Sequence, residues 1–277
     1  MAAIAVAPPV TREGAAIAAP PAHLEPADVL SPSQIFCFTD CSAKWWFKYG
    51  LNLKDSGNSN LALGTAVHAG IGYAMQSKIE TGSFPDSDCV AGIYNLAWFQ
   101  QADFVEFRED ENPGEIQTAG EALIRKYMSE AAPTVHPKQS EIEVSGLIGG
   151  VRVRGRIDIL EENGTIRDIK TAARKPESQI SGRNAMQLAI YTAITPGASG
   201  KVAIDTLVKT KTPQLIQITQ SIDEQDKRAP ELQIPVIRDA MRSGYYPPSR
   251  DSMMCSRRNC GFWRVCETEW GGKVACS

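Results

Sequence analysis

The strongest constraint in this sequence is a change of period. Up to about Ala131 the apolar residues recur at three- and four-residue steps, and from Glu141 onward they alternate. Glu141–Ile148, Val151–Leu160 and Thr165–Lys170 therefore read as three strands of a meander, with Asn163-Gly164 as the second hairpin turn. Upstream, Ser31 is an N-cap before Pro32, opening a short helix that runs through Cys41 to Tyr49. Further helices are expected over Leu61–Ile79, Val90–Phe107 and Glu115–Ala131. Downstream the pattern predicts a helix over Ser181–Thr195, a strand pair at Val202–Thr210 and Gln214–Ser221, and a final helix over Asp223–Arg242. Helices, a meander, then helix and strands predict an α/β chain with a mixed central sheet flanked by helices.

The chain's 277 residues suit one large domain or two small ones. No run approaches the roughly 20 apolar residues of a membrane span. Residues 1–29 are rich in Ala and Pro without periodicity and read as a disordered tail, lacking the basic and apolar regions of a secretory signal. Seven cysteines, an odd number, argue for thiols or a metal site in a reducing, cytoplasmic compartment. Net charge is only -3, but Glu80 to Glu121 alone carries -9, so the remainder sums to +6 and can present a basic surface.

Gly155-Arg156-Ile157-Asp158 on one strand precedes Asp168-Ile169-Lys170 on the next. Asp168 and Lys170 are two apart and share a face. A two-residue Asn-Gly turn would set Ile159 against Asp168 and turn Asp158 away. A three-residue loop, Asn163-Gly164-Thr165, would pair Leu160 with Asp168 and Asp158 with Lys170, so that all three polar groups converge. Two carboxylates and an ammonium so placed can hold a hard divalent cation and steady a water nucleophile. The competing reading is a surface Asp–Lys cross-strand pair, which contributes little.

With these residues the chain resembles the PD-(D/E)XK nucleases, specifically their RecB-like branch. Asp158 and Asp168-Ile169-Lys170 match the core signature, Gly64-Thr65-Ala66-Val67-His68 matches an upstream helix motif, and Gln187-Leu188-Ala189-Ile190-Tyr191 matches a downstream Q-x-x-x-Y. The resemblance implies a restriction-endonuclease-like core with a helical insertion at about 70–135. It also implies metal-dependent hydrolysis of phosphodiester bonds in DNA, single-stranded or with free ends. Mg²⁺ or Mn²⁺ would be held by His68, Asp158, Asp168 and the Ile169 carbonyl. Lys170 would orient the nucleophile, with Gln187 and Tyr191 orienting the site. Read without the resemblance, His68 is a hydrogen-bonded core histidine, and Gln187 and Tyr191 sit on an ordinary amphipathic helix.

Cys255, Cys260 and Cys266 stand at C-x4-C-x5-C in a tail from 245 to 277, with Cys41 far upstream before an aromatic run. The iron–sulfur, CRISPR-associated members of the same branch implied here hold a [4Fe–4S] cluster with one early and three late cysteines. Cys37, only four residues from Cys41, is a rival for the early position. A structural zinc and unligated thiols are the other readings. Cys89 is expected in the core, and Phe262 and Trp263 could stack on bases. A single-chain DNA exonuclease is the expected function. The alternatives are a DNA-binding subunit of a recombination or CRISPR-integration complex, and a redox-sensing regulator.

Overall fold

The computed structural model describes residues 27–55 and 57–276. Most of the expected tail, residues 1–26, lies outside them. Order is already present at Ala27, which is buried, and a two-residue strand, β1 (Val29–Leu30), precedes the first helix. Then follow α1 (Pro32–Asp40), α2 (Ser42–Trp45), a π turn (Trp46–Gly50), α3 (Ser59–Thr81), α4 (Ser87–Ala102) and α5 (Pro113–Glu130). The strands β2 (Pro137–Ile148), β3 (Val151–Glu161) and β4 (Ile166–Ala172) come next. The chain continues through α6 (Gly182–Ile194), β5 (Lys201–Val208), β6 (Gln214–Ser221), α7 (Glu224–Arg242) and α8 (Trp263–Trp270).

One mixed sheet organises the chain, in the order β1-β3-β4-β5-β6, with β2 on the other edge of β3. Gly149 and Gly150 both take positive φ, as a two-residue hairpin turn requires, and set Ile148 opposite Val151. The β3–β4 connection has three residues, as convergence of the acidic groups needs, but they are Glu162-Asn163-Gly164. Glu161 pairs with Thr165 and Ile159 with Arg167. Gly164, at φ +79°, supplies the left-handed position that closes the loop one residue earlier than expected. The expected Asp158–Lys170 pairing is thereby corrected: the register carries Asp158 opposite Asp168.

The lower edge of β3 is shared. β1 pairs in parallel with Arg152 and Val153, and β4 pairs with Ile159 and Leu160, so the stretch between has no strand partner on that side. β4 then runs parallel to β5 along its whole length, joined by the α6 crossover.

Helices cover the sheet in two layers. One apolar cluster gathers α1, α2, α6 and α7 over Val153, Ile157, Ile166 and Val202. The other gathers α3, α4 and α5 over Ile159, Ile169 and Leu207. The aromatic run expected as one helix is broken at Cys41, which is extended (φ -162°, ψ 106°), and resumes as α2. The break turns Trp45, Trp46 and Phe47 inward. Trp46 stacks on Tyr246 at 4.9 Å, and Phe47 meets Phe262 at 6.0 Å. Ser42 Oγ donates to the Pro247 carbonyl at 2.8 Å. The C-terminal segment is thus closed onto the start of the fold by apolar packing and hydrogen bonds.

Candidate active site and cysteine cavity

β3 and β4 part just beyond Ile159, and the Asp158 side chain bridges the fork. Its Oδ2 accepts the Ile169 N–H at 2.7 Å, replacing a ladder bond, while Oδ1 lies 3.2 Å from Nδ1 of His68 on α3. Burial disfavours a charge on His68, but the hydrogen bond to Asp158 and the charges of Asp158, Asp168 and Glu141 outweigh it and raise its pKa to about 9.

Glu141 completes this group and was missed in the sequence. His68, Glu141 and Asp158 each offer a ligand atom, all within 4.8 Å of one another. The signal was present: a two-residue Gly149-Gly150 turn, counted back from Ile148–Val151, sets Glu141 opposite Asp158. Glu141 takes a left-handed φ of +53°, uncommon for a residue with a side chain, and Arg156 Nε holds its carboxylate at 2.9 Å. Burial, with the nearby Asp158 charge, raises the Glu141 pKa.

Asp168 stands beside this trio rather than in it. Lys170 Nζ lies 2.9 Å from its Oδ2 and 3.2 Å from Oδ1. Gln187 Nε2 donates to Oδ1 at 3.1 Å, and Gln187 Oε1 accepts from Lys170 Nζ at 3.2 Å. Burial pushes Asp168 up to about 6, the Lys170 charge opposing and the Asp158 charge adding. One helical turn on, Tyr191 lies within 3.2 Å of Gln187 Nε2. Tyr191 fills the unpartnered edge of β3 beside Gly155. A Cβ at Gly155 would land in the Tyr191 ring, so Gly155→Ala should displace Tyr191 and through it Gln187 and Lys170. The expected result is a destabilisation of about 1–3 kcal/mol, read by urea titration, with a cleavage defect that persists where the variant is fully folded.

Ile169 lines a cavity of about 630 Å³ together with His68, Glu141 and Lys170. The structure therefore brings His68, Asp158, Asp168, Ile169, Lys170, Gln187 and Tyr191 into one neighbourhood. Two oxygen donors and an imidazole converging at one point form a donor set that suits a hard divalent cation.

A family model for the PD-(D/E)XK nuclease superfamily matches residues 29–267. The chain belongs to that superfamily. Nucleases of this superfamily use divalent metal ions, which the acidic group above fits. No curated protein matches. Among solved structures, a protein of Eubacterium rectale described as "Putative exonuclease" is similar in fold. It is 14% identical, with 83% of this chain and 87% of that one covered and a TM-score of 0.58. The structure of SSO0001 aligns at 13% identity over 68% of this chain and 78% of its own, with a TM-score of 0.30, too low to inform the fold.

The nuclease has a second cluster of ligand-type side chains. A cavity of about 480 Å³ is lined by Cys37 and Cys41 from the α1–α2 break and by Cys255, Cys260 and Cys266 from the C-terminal segment. Burial pushes the Cys37 and Cys266 thiols up to about 11 and raises Cys260 as well. No three of the sulfurs come within 4.8 Å of one another among the described residues.

Two expectations about single side chains are corrected. Phe262 is buried against Phe47 and cannot stack on bases, whereas Trp263 carries the Arg257 and Arg264 guanidinium groups over its ring, at 4.3 and 4.7 Å. Cys89 is exposed, because α4 buries Val90, Ala91, Tyr94 and Trp98 instead. No helix among the described residues is long and apolar enough to cross a membrane.

Proposed function

We propose that this nuclease is a metal-dependent DNA exonuclease with a preference for single strands. The observation that carries the reading is the hydrogen-bonded chain Tyr191–Gln187–Lys170–Asp168 placed against the His68–Glu141–Asp158 group. His68, Glu141 and Asp158, with Asp168 and the Ile169 carbonyl beside them, would hold Mg²⁺ or Mn²⁺. The imidazole ligand leans toward Mn²⁺. A bound cation supplies Lewis-acid polarisation of the scissile phosphate and lowers the pKa of a coordinated water.

The chain's own groups do the rest. Lys170 is fixed by two acceptors, Asp168 and Gln187, so its ammonium is oriented before substrate arrives. From there it can steady a water nucleophile and neutralise charge that develops on the phosphate oxygens. Gln187 donates to Asp168 and accepts from Lys170, and so fixes the geometry of that pair. Tyr191 supports Gln187 from the next turn.

A [4Fe–4S] cluster held by Cys41, Cys255, Cys260 and Cys266 belongs to the same proposal. What supports a metal centre there is the cavity that all four of these cysteines line; four thiolates suit such a cluster.

End-labelled single- and double-stranded DNA, incubated with purified protein and either Mg²⁺ or Mn²⁺, tests the function. The expected result is shortening from an end, faster on the single strand and abolished by EDTA. Cleavage unaffected by EDTA, or none with either metal, would overturn the proposal.

A further inference from the structure

The acidic centre lies where two cavities meet. The one beside His68 and Glu141 shares Arg156 and Lys170 with a larger one, of about 1010 Å³, that runs along β3 toward β1 and α1. Arg152, Arg154 and Arg156 line this larger cavity, alternating along β3 with buried Val151, Val153 and Ile157. The next residue in that alternation is Asp158.

The three arginines differ in their partners. Arg156 is taken by Glu141, whereas Arg152 and Arg154, both exposed, pair with no carboxylate among the described residues. Opposite them on β2 stand Leu147 and Ser145, neither of which neutralises a guanidinium; Glu143, the carboxylate in this wall, faces Arg156. The positive charge is therefore concentrated at the end of the cavity away from the acidic centre.

We propose that Arg152 and Arg154 are a rail for the sugar–phosphate backbone of one nucleic-acid strand, guiding it along β3 to the acidic centre. The inference rests on the nuclease reading and adds to it the binding site and the strandedness of the substrate. Alternate residues on a strand are about 6.6 Å apart, close to the separation of successive phosphates in an extended single strand. From Arg152 to Asp158 the rail spans roughly 20 Å, enough for a few nucleotides. Guanidinium groups pair with phosphate oxygens in bidentate fashion and carry no base preference, so the rail is indifferent to sequence. The start of α1, with Ser31, Ser33 and Phe36, walls the same cavity, confining the site to one strand. Beyond the centre the second cavity is lined by Tyr73, 41% exposed, whose ring can stack on a base of the strand that has passed the metal. Arg156 serves the centre itself, as a positioning residue for Glu141.

Fluorescence anisotropy with a labelled oligothymidylate, in Ca²⁺ to suppress cleavage, measures the rail directly. Arg152→Ala/Arg154→Ala should weaken binding roughly 50-fold at physiological salt. The slope of log affinity against log salt should shrink by about 1.4, or 0.7 per lost contact. Lys126→Ala/Arg228→Ala, which removes two charges from α5 and α7, should leave both unchanged. Cleavage of a labelled dinucleotide, whose single phosphate occupies the centre and reaches neither arginine, should be nearly the same in the rail variant and the parent. Parental affinity and salt slope in the rail variant, with the parent still cutting DNA, would overturn the rail and leave the nuclease standing. Equal losses on a blunt duplex and on the single strand would overturn the strandedness. A parent that neither binds nor cuts DNA would remove both readings together.

Discussion

Asp168→Asn should lower DNA cleavage by about 10³-fold or more while the protein remains folded and still binds DNA. Lys170→Ala and Asp158→Asn should do the same. In the proposed mechanism the three groups act on charge that develops in the transition state, so their loss falls on turnover rather than on substrate affinity. Asparagine is the informative replacement at Asp158, because its side-chain oxygen can still accept the Ile169 N–H and hold the β3–β4 fork. Single-turnover cleavage, beside anisotropy and circular dichroism, separates the outcomes. Full activity in Asp168→Asn would remove that residue from the site. A loss of DNA affinity equal to the loss of cleavage would mean that these groups bind substrate and do not act on it.

Anaerobically purified protein should be brown, with iron and sulfide near about four each per chain. Cys41→Ala should bleach it as completely as Cys260→Ala, because a cluster needs its distant ligand as much as its local ones. Bleaching should also cost stability, but the cluster would not be alone in tying down the C-terminal segment. Tyr246 on Trp46, Phe262 on Phe47 and the Ser42–Pro247 hydrogen bond also hold the C-terminal segment. A bleached variant should therefore melt lower yet remain cooperatively folded. Metal analysis with thermal denaturation reads both effects. Colourless protein with stoichiometric zinc would replace the cluster by a zinc site. Bleaching by Cys37→Ala but not by Cys41→Ala would move the early ligand by one helical turn, which the shared cavity permits.

The sheet and its helices were legible because the signals were local. Alternation marked β2, β3 and β4, and Asn163-Gly164 marked the second hairpin. Where reading failed, the deciding interactions were tertiary. The break at Cys41 carries no Gly or Pro; it is set by the inward packing of Trp45, Trp46 and Phe47. β1 has only two residues and forms because β3 offers it an edge. The second loop closes one residue earlier because Gly164, not Thr165, takes its last position; the pairing shifts by two residues, so parity is kept and the acidic groups stay together. Glu141 escaped notice because it belongs to none of the four matched motifs, although the Gly149-Gly150 turn fixes its place. Cys89 and Phe262 were assigned by residue type; the buried face of α4 reversed the first and the packing of Phe262 on Phe47 the second.

The shared edge of β3 has a consequence for how activity arises. β2 and β3 form a hairpin closed by a two-residue turn and can assemble early and locally. β4 contacts that hairpin through only two ladder pairs, but joins β5 along its full length by way of α6. Glu141 and Asp158 therefore belong to one folding unit, and Asp168, Lys170, Gln187 and Tyr191 to another. The proposed hydrolytic centre is the seam between them. On that proposal a nascent or partly unfolded chain carries half of the set on each piece, and the ability to cut DNA arrives only when the two pieces dock.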